Sequence, residues 1–323
     1  MRDAAATAAA LLLITIPASV TAAEGYPNRP LRFVVPFAPG GNADTIARNS
    51  AAKVAETLGQ QVVIDNRSGA NGNIGMEIVA RAAPDGYTLV LGYIANVAIA
   101  PSLVAKLPYD PIKDYAPVTL LATAPNIIVV HPAVAARDLK ELIALSKAKP
   151  KAVNFSSAGV ASVGHLTGEY FNTVTGSSLQ HVPYKGSAQG VIDLLAGQIQ
   201  MLIGGMSSVM PHIRSNRLRG IAVTSARRSP AIAELPTVAE SLLPGFEATA
   251  WYGVMAPAGT SPAIIKRLHG EFARGLAQPD VKQRLDNLGY DILARAPEEF
   301  AAYIKTETAK WAKVVKASGA RAE

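Results

Sequence analysis

From residue 31 onward the chain alternates short continuous apolar runs with stretches whose apolar residues recur at steps of three and four. LRFVVPF (31–37) reads as a strand, and the helix after it places Ala47, Ala51, Val54 and Leu58 on one stripe. QVVID follows as a strand, then NRSGANGNIG as a loop, then a helix over about 74–83. PDGYT, with Pro84 and Gly86 in turn-forming positions, feeds a strand TLVLGY. The order βαβαβ predicts an open, mostly parallel sheet covered by helices.

A second βα series begins near Pro101. NIIVVH (126–131) is a strand, and DLKELIALSKAKP a helix that Pro150 stops. AVNFSS is a strand, followed by a helix expected to turn Val163, Leu166, Tyr170 and Val174 inward. LQHVPY and IQMLIGG are strands on either side of the helix AQGVIDLLAG, which Gly197 closes. LRGIAVTS and ATAWYGVMAP bring the chain back. The remainder is helical: Ser261 and Pro262 make an N-cap and first position. PDVKQRLDNLG ends on Gly289, and a last helix from about Pro297 buries Phe300, Ile304, Trp311 and Val315. The fold class expected is α/β: two doubly wound α/β domains with an interdomain cleft. Domain 1 takes residues 24–100 and 225–323, and domain 2 takes 101–224.

Residues 1–23 interrupt this rhythm. Arg2 precedes an apolar run from Ala4 to Ile16, then Pro17 and small residues ending near Ala22 or Ala23. That is the layout of a cleaved signal peptide, and the run is short of the ~20 apolar residues that span a bilayer. The expected location is the periplasm. Composition narrows the chemistry: there is no cysteine, which excludes disulfides, thiolate catalysis and Cys-ligated metals. The net charge of +7 is spread along 323 residues without a basic run, so no nucleic-acid partner is expected. It gives at most a mild attraction for acidic solutes.

Ligands of open α/β sheets sit beyond the carboxyl ends of the strands, on strand-to-helix loops. Here those loops are PFAPGGNAD, NRSGANGNIG, GYIANVA, SSAGVASVGH and YKGSAQG, rich in Gly, Ser and Asn and poor in charge. Such loops suit backbone amides at helix N-termini approaching a small anion. GANGNIG is one residue off a dinucleotide fingerprint, and a tight glycine turn explains it equally well. No acidic residue ends the next strand to hold a ribose, and no cofactor is expected. H-E-x-x-H, G-x-S-x-G and Walker motifs are absent. His131, His165, His181, His212 and His269 have no metal-ligand spacing, so no metal is expected. His165 alone opens a helix next to a cleft loop. Tyr93 and Tyr184 offer apolar faces with hydroxyls, while Trp251 and Tyr252 read as crossover packing or as an apolar wall. Lys185 meets a carboxylate or sits in solvent. Asp44 reads first as a helix cap.

Taken together, YPNRPLRFVVPFAPGGNADTIAR, VVIDNRSGANGNIGMEIVARAAPDGYTLVLG, NFSSAGVASVGHLTGEYF, HVPYKGSAQGVIDLLAGQIQMLIGG and LRGIAVTSARRSPAIAELPTVAES resemble the Bug (TctC-like) proteins, periplasmic receptors of tripartite tricarboxylate transporters. The resemblance covers essentially the whole chain after the leader. It implies a type II periplasmic binding fold that closes like a flytrap on a small carboxylate, a dicarboxylate or aromatic acid, and delivers it to membrane transporter subunits. It implies no enzymatic activity, and a monomer. Carried onto this sequence, the first domain offers Phe37, Ala38, Gly40, Gly41, Asn42 and Asp44, with Gly72 and Asn73. Tyr93 and Asn96 stand where a small Ser/Thr-rich loop is usual, and Ser68 where a proline is usual. The second domain offers Ser156, Ser157, Ser162 and His165, then Tyr184, Lys185 and Gly186. Two other classes stay open: a periplasmic hydrolase using Ser157 or Ser162 with His165, and a sensor whose closed form docks on a signalling receptor.

Overall fold

The computed structural model describes residues 25–150, 152–160, 162–184 and 187–319. The expected signal peptide lies outside them. β1 (Leu31–Val35), α1 (Asn42–Leu58), β2 (Val62–Asn66), α2 (Asn73–Ala80) and β3 (Thr88–Tyr93) form a parallel βαβαβ unit, β1 lying between β2 and β3. A π-helical turn (Ala95–Ile99) and α3 (Ala100–Leu103) lead to β4 (Tyr115–Val130). Then come α4 (Leu139–Ala148), β5 (Asn154–Ser157), α5 (Val163–Thr175), β6 (Gln180–Pro183), α6 (Ser187–Leu195), β7 (Met201–Gly205), α7 (Met206–Arg214) and β8 (Arg219–Val223). α8 (Val238–Ser241), β9 (Thr249–Pro257), α9 (Pro262–Leu276), α10 (Pro279–Asn287), β10 (Asp291–Arg295) and α11 (Pro297–Ser318) complete the chain.

The strands run in the order β2-β1-β3-β9-β4-β7-β5-β6, with β8 and β10 also pairing with β4. β4 is the member both halves share. Its first part, Tyr115 to Pro125, pairs antiparallel with β9. Its second part, Asn126 to Val130, pairs antiparallel with β7. The chain thus changes sheet inside β4 at Pro125 and Asn126, later than residue 101. Further along, Phe246 stacks on Tyr170 of α5 at 4.9 Å. Only 126–131 of β4 was expected as strand: Pro117 and Pro125 lack the N–H a ladder uses and read as breaks. The strand tolerates Pro117 because the register with β9 shifts between Pro117 and Thr119.

Three cores hold this frame. Phe33, Ile46, Val54, Leu91 and Phe272 fill the space between the first sheet and α1 and α9. Ile127, Val129, Leu202 and Val209 do the same on one face of the second sheet. The third core runs through both halves: Trp251, Phe300, Ile304 and Trp311 join Ile128, Val130, Phe155 and Leu166. Its rod is α11, on which Phe300, Ile304, Trp311 and Val315 are buried as expected. Glu307, 4% exposed, accepts hydrogen bonds from the indoles of Trp251 (3.2 Å) and Trp311 (3.0 Å). On α5, Val163 and Leu166 point inward as expected, but Val174 is 39% exposed and Phe171 takes the buried place.

Candidate functional site

The loop after β1 is built to leave amides free. Gly40 adopts φ +84°, a conformation costly for any other residue, and Gly41 is the N-cap of α1 with no side chain bonded to the first-turn amides. Asp44 does not cap those amides. Its carboxylate accepts from the Gly40 amide (2.9 Å), Arg48 (2.9 Å) and the Asn66 side chain (3.0 Å), while Asn66 also donates to Phe37 O. Burial would raise the Asp44 pKa, but these bonds and the Arg48 charge outweigh it and hold the carboxyl below its usual value. Asp44 is therefore a clamp on the loop.

The second half repeats the device. β7 ends in Gly204–Gly205, and Gly205 is the N-cap of α7, again with no side-chain bond to the first turn. α6 begins at Ser187, and α5 follows its cap Ser162, whose Oγ accepts from the His165 amide (3.3 Å). A cavity of about 970 Å³ lies between these ends, lined by Gly41, Asn42, Ser162, Ser187, Gly205 and Ser207 among others. Four helix N-termini, two from glycine caps, thus turn partial positive charge into one space. No described residue lining it carries a formal charge.

One wall is aromatic. β3 pairs with β9 so that Tyr93 lies opposite Tyr252. Their rings stack at 5.1 Å, Phe37 meets Tyr93 edge-on at 5.3 Å, and Tyr290 meets Tyr252 at 5.9 Å. Burial pushes the phenols of Tyr93 and Tyr252 well above their ordinary pKa, so they stay neutral donors. Strand alternation separates the expected pair: Tyr252 faces the cavity, while Trp251 turns to the core beneath α11. The two halves touch across the cavity where the Ser207 hydroxyl donates to Asn42 Oδ1 at 2.9 Å. Tyr290 Oη donates to Asn42 O at 2.8 Å.

Of the residues expected at the site, Phe37, Ala38, Gly40, Gly41, Asn42, Tyr93 and Ser162 line the cavity. The other described ones do not line it. Gly72 (φ +92°) packs where a Cβ would sit 2.8 Å from Asn96 Nδ2 and 3.2 Å from Phe37 Cζ. Asn73 Oδ1 and Asn96 O both lie 2.7 Å from the Tyr109 hydroxyl, and Asn96 Oδ1 accepts from the Tyr93 amide at 2.9 Å. These groups shape the loops from beneath. Ser156 is fully buried, and Ser157 is 2% exposed with its Oγ 2.7 Å from His181 Nε2. His165 stacks on His181 at 3.9 Å, and Tyr184 donates to Asp193 at 2.7 Å. Burial lowers the pKa of His165 to about 4; burial and the neighbouring His165 lower that of His181 to about 3. Lys185 and Gly186 lie outside the described residues.

Of the serines in the hydrolase reading, Ser157 Oγ lies 2.7 Å from His181 Nε2, and Ser162 Oγ accepts from the His165 amide as the cap of α5. Among the described residues no cluster of His, Asp and Glu could hold a metal, and no helix is long and apolar enough to cross a membrane.

Several lining residues were not legible. Asn71 sits next to two expected residues at φ +54° and lines the cavity. Ser207 and Ser208 follow a strand–Gly–Gly signal like that after β1, but Pro211 within α7 reads as a helix stop. Leu288 and Tyr290 come from the segment after α10, and no local pattern points there.

A family model described as tripartite tricarboxylate transporter family receptor matches residues 46–320. The protein BugT of Bordetella pertussis is 38% identical over 305 residues, 94% of each chain. A Rhodopseudomonas palustris protein solved with adipate is 35% identical with a TM-score of 0.83, over 92% of this chain and 99% of that one. MatC of the same species, solved with bound malate, is 34% identical with a TM-score of 0.79, over 90% of this chain and 100% of that one. With a matching family model, a relative similar along nearly the full length and the same two-lobed frame, the chain belongs to the tripartite tricarboxylate transporter receptor family, the solute-binding receptors of the TctC/Bug type.

Proposed function

We propose that this protein is a non-enzymatic periplasmic receptor that captures a small organic carboxylate by closure of its two lobes and hands it to the membrane subunits of a tripartite tricarboxylate-type transporter. The observation that carries the reading is the convergence of α1, α5, α6 and α7 on one cavity whose described lining holds no charge. Orphan amides at helix starts stabilise an anion without a lysine or arginine, and they release it without breaking an ion pair. The relatives solved with adipate and malate support a carboxylate as ligand. The Phe37, Tyr93, Tyr252 and Tyr290 wall suits a flat or extended apolar body between oxygen-bearing ends. The Ser207–Asn42 bond, which joins the two lobes, supports closure as the mode of capture. The protein acts as a monomer, since each chain supplies both jaws.

The test is calorimetry and thermal shift with protein unfolded, stripped of co-purified solute and refolded. Linear C3–C8 diacids, malate, benzoate and terephthalate form the panel. One-to-one binding of at least one acid, with a raised melting temperature, is expected; no stabilisation by any of them refutes the reading.

A further inference from the structure

The loop between β2 and α2 holds the chain's single Asn–Gly pair, Asn71–Gly72. Gly69 to Gly72 form a tight turn. The Gly72 amide donates to Gly69 O at 2.9 Å, and the Asn73 amide donates to Ala70 O. Both central residues have positive φ, +47° at Ala70 and +54° at Asn71, as in a type I′ turn. Asparagine adopts that conformation readily, whereas alanine does so at a cost because its Cβ crowds the backbone. The turn is thus closed by two backbone bonds and weakened by the alanine at its centre. Asn71 is exposed beside that alanine and lines the main cavity.

An Asn–Gly pair offers deamidation little steric resistance, since glycine puts no Cβ beside the attacking nitrogen. The Gly72 nitrogen gives its proton to hydroxide and attacks Asn71 Cγ; the Cγ–Nδ2 bond breaks and ammonia leaves. Water then opens the cyclic imide at either carbonyl, leaving an aspartate or an isoaspartate at position 71. One water is consumed and one ammonia released. While the turn is closed the Gly72 N–H is engaged by Gly69 O, so the step waits on an opening that the strain at Ala70 favours. Asn49, followed by Ser50, lacks this freedom: it lies within α1, and its Nδ2 donates to Thr45 O at 2.8 Å.

The consequence falls on the cavity, whose described lining carries no formal charge. An acidic group at position 71 is ionised at neutral pH and repels an anionic guest. We propose that Asn71 is a site of spontaneous deamidation, opened by the strained turn that carries it, and that the carboxylate formed there shuts the cavity to anionic solutes. Ageing then ends capture without unfolding the protein. The loss of capture rests on the carboxylate-receptor reading; the modification does not.

Freshly purified wild type, Ala70→Gly and Asn71→Gly are incubated at pH 8 and 37 °C and sampled over days. Peptide mapping by mass spectrometry follows the amide-to-acid mass change at each asparagine. Calorimetry with malate, adipate and terephthalate follows binding in the same samples, with melting curves as the folding control. Asn71 should convert ahead of every other asparagine, and Ala70→Gly, which relieves the turn, should slow it about threefold or more. Wild-type binding capacity should fall in step with conversion, while Asn71→Gly holds its own starting affinity throughout. Asn71→Asp should bind the same acid about tenfold or more weakly than fresh wild type. Conversion of Asn71 no faster than that of Asn49, or equal rates in wild type and Ala70→Gly, overturns the modification. Aged wild type that converts yet keeps its capacity, or an Asn71→Asp variant that binds like fresh wild type, overturns the loss of capture and leaves the receptor reading intact. Fresh wild type that binds none of these acids overturns the receptor reading and the loss of capture with it, while the peptide map decides the modification by itself.

Discussion

Replacing His165 and His181 together with glutamine should abolish most of the acid sensitivity of the fold above pH 4.5. The two rings stack at 3.9 Å between β6 and α5, with Phe155 against His181 and the Ser157 hydroxyl on its Nε2. Burial holds His165 near a pKa of about 4, against an ordinary 6.5. Between those values the unfolded chain takes up a proton that the folded chain refuses. Stability is therefore complete above pH 6.5 and is lost as pH falls toward 4. At about 1.4 kcal/mol per pKa unit, bringing His165 from pH 7 to 4.5 costs on the order of 2–3 kcal/mol. His181, whose pKa burial and the neighbouring His165 lower to about 3, adds a loss of the same sign. Glu169 lies 3.8 Å from His165 Nε2, where a charged carboxylate would favour the protonated ring. Burial raises the Glu169 pKa above its usual value, with a hydrogen bond from Asn172 opposing. Urea midpoints at half-unit steps from pH 7.5 to 4.5 measure the effect. A loss of about 2–3 kcal/mol or more in the wild type, and a nearly flat profile in the double variant, are expected. A flat wild-type profile, or the same slope in both proteins, would refute the reasoning.

Other outcomes follow from the same structure. Glu307→Leu leaves the indole N–H groups of Trp251 and Trp311 without their acceptor, and should cost about 2–4 kcal/mol in urea unfolding. Gly205→Val places a Cβ 2.7 Å from Asn42 Nδ2, displacing the partner of Ser207. Its backbone (φ −64°, ψ 140°) suits valine, so the melting temperature should hold while carboxylate affinity falls about tenfold or more in calorimetry. No described cavity-lining side chain titrates near neutrality, so affinity for a fully ionised acid should vary less than about twofold between pH 6 and 8. A steep fall with rising pH would instead point to a protonated histidine in the site.

Local chemistry was enough for part of the protein. The strand running into Pro39, Gly40 and Gly41, the stripe on α1, the Ser261 cap and the buried face of α11 follow from periodicity and cap chemistry, which act over a few residues. So does the expectation of a small anion as ligand, since loops rich in glycine, serine and asparagine leave backbone amides as the donors. What tertiary structure decided depends on which distant segments share a surface. Asn73, Asn96 and Asp44 look like site residues by position, yet neighbours from β2, β3 and the segment after α3 draw their side chains into loop support. Ser157 and His165 stand close in sequence, but a partner strand brings His181 between them. Tyr290 reaches the cavity from the far end of the chain. A carbonyl or ring packed from far along the chain leaves no trace in local spacing, and that is why only the folded arrangement separates the residues facing the cavity from those that hold them in place.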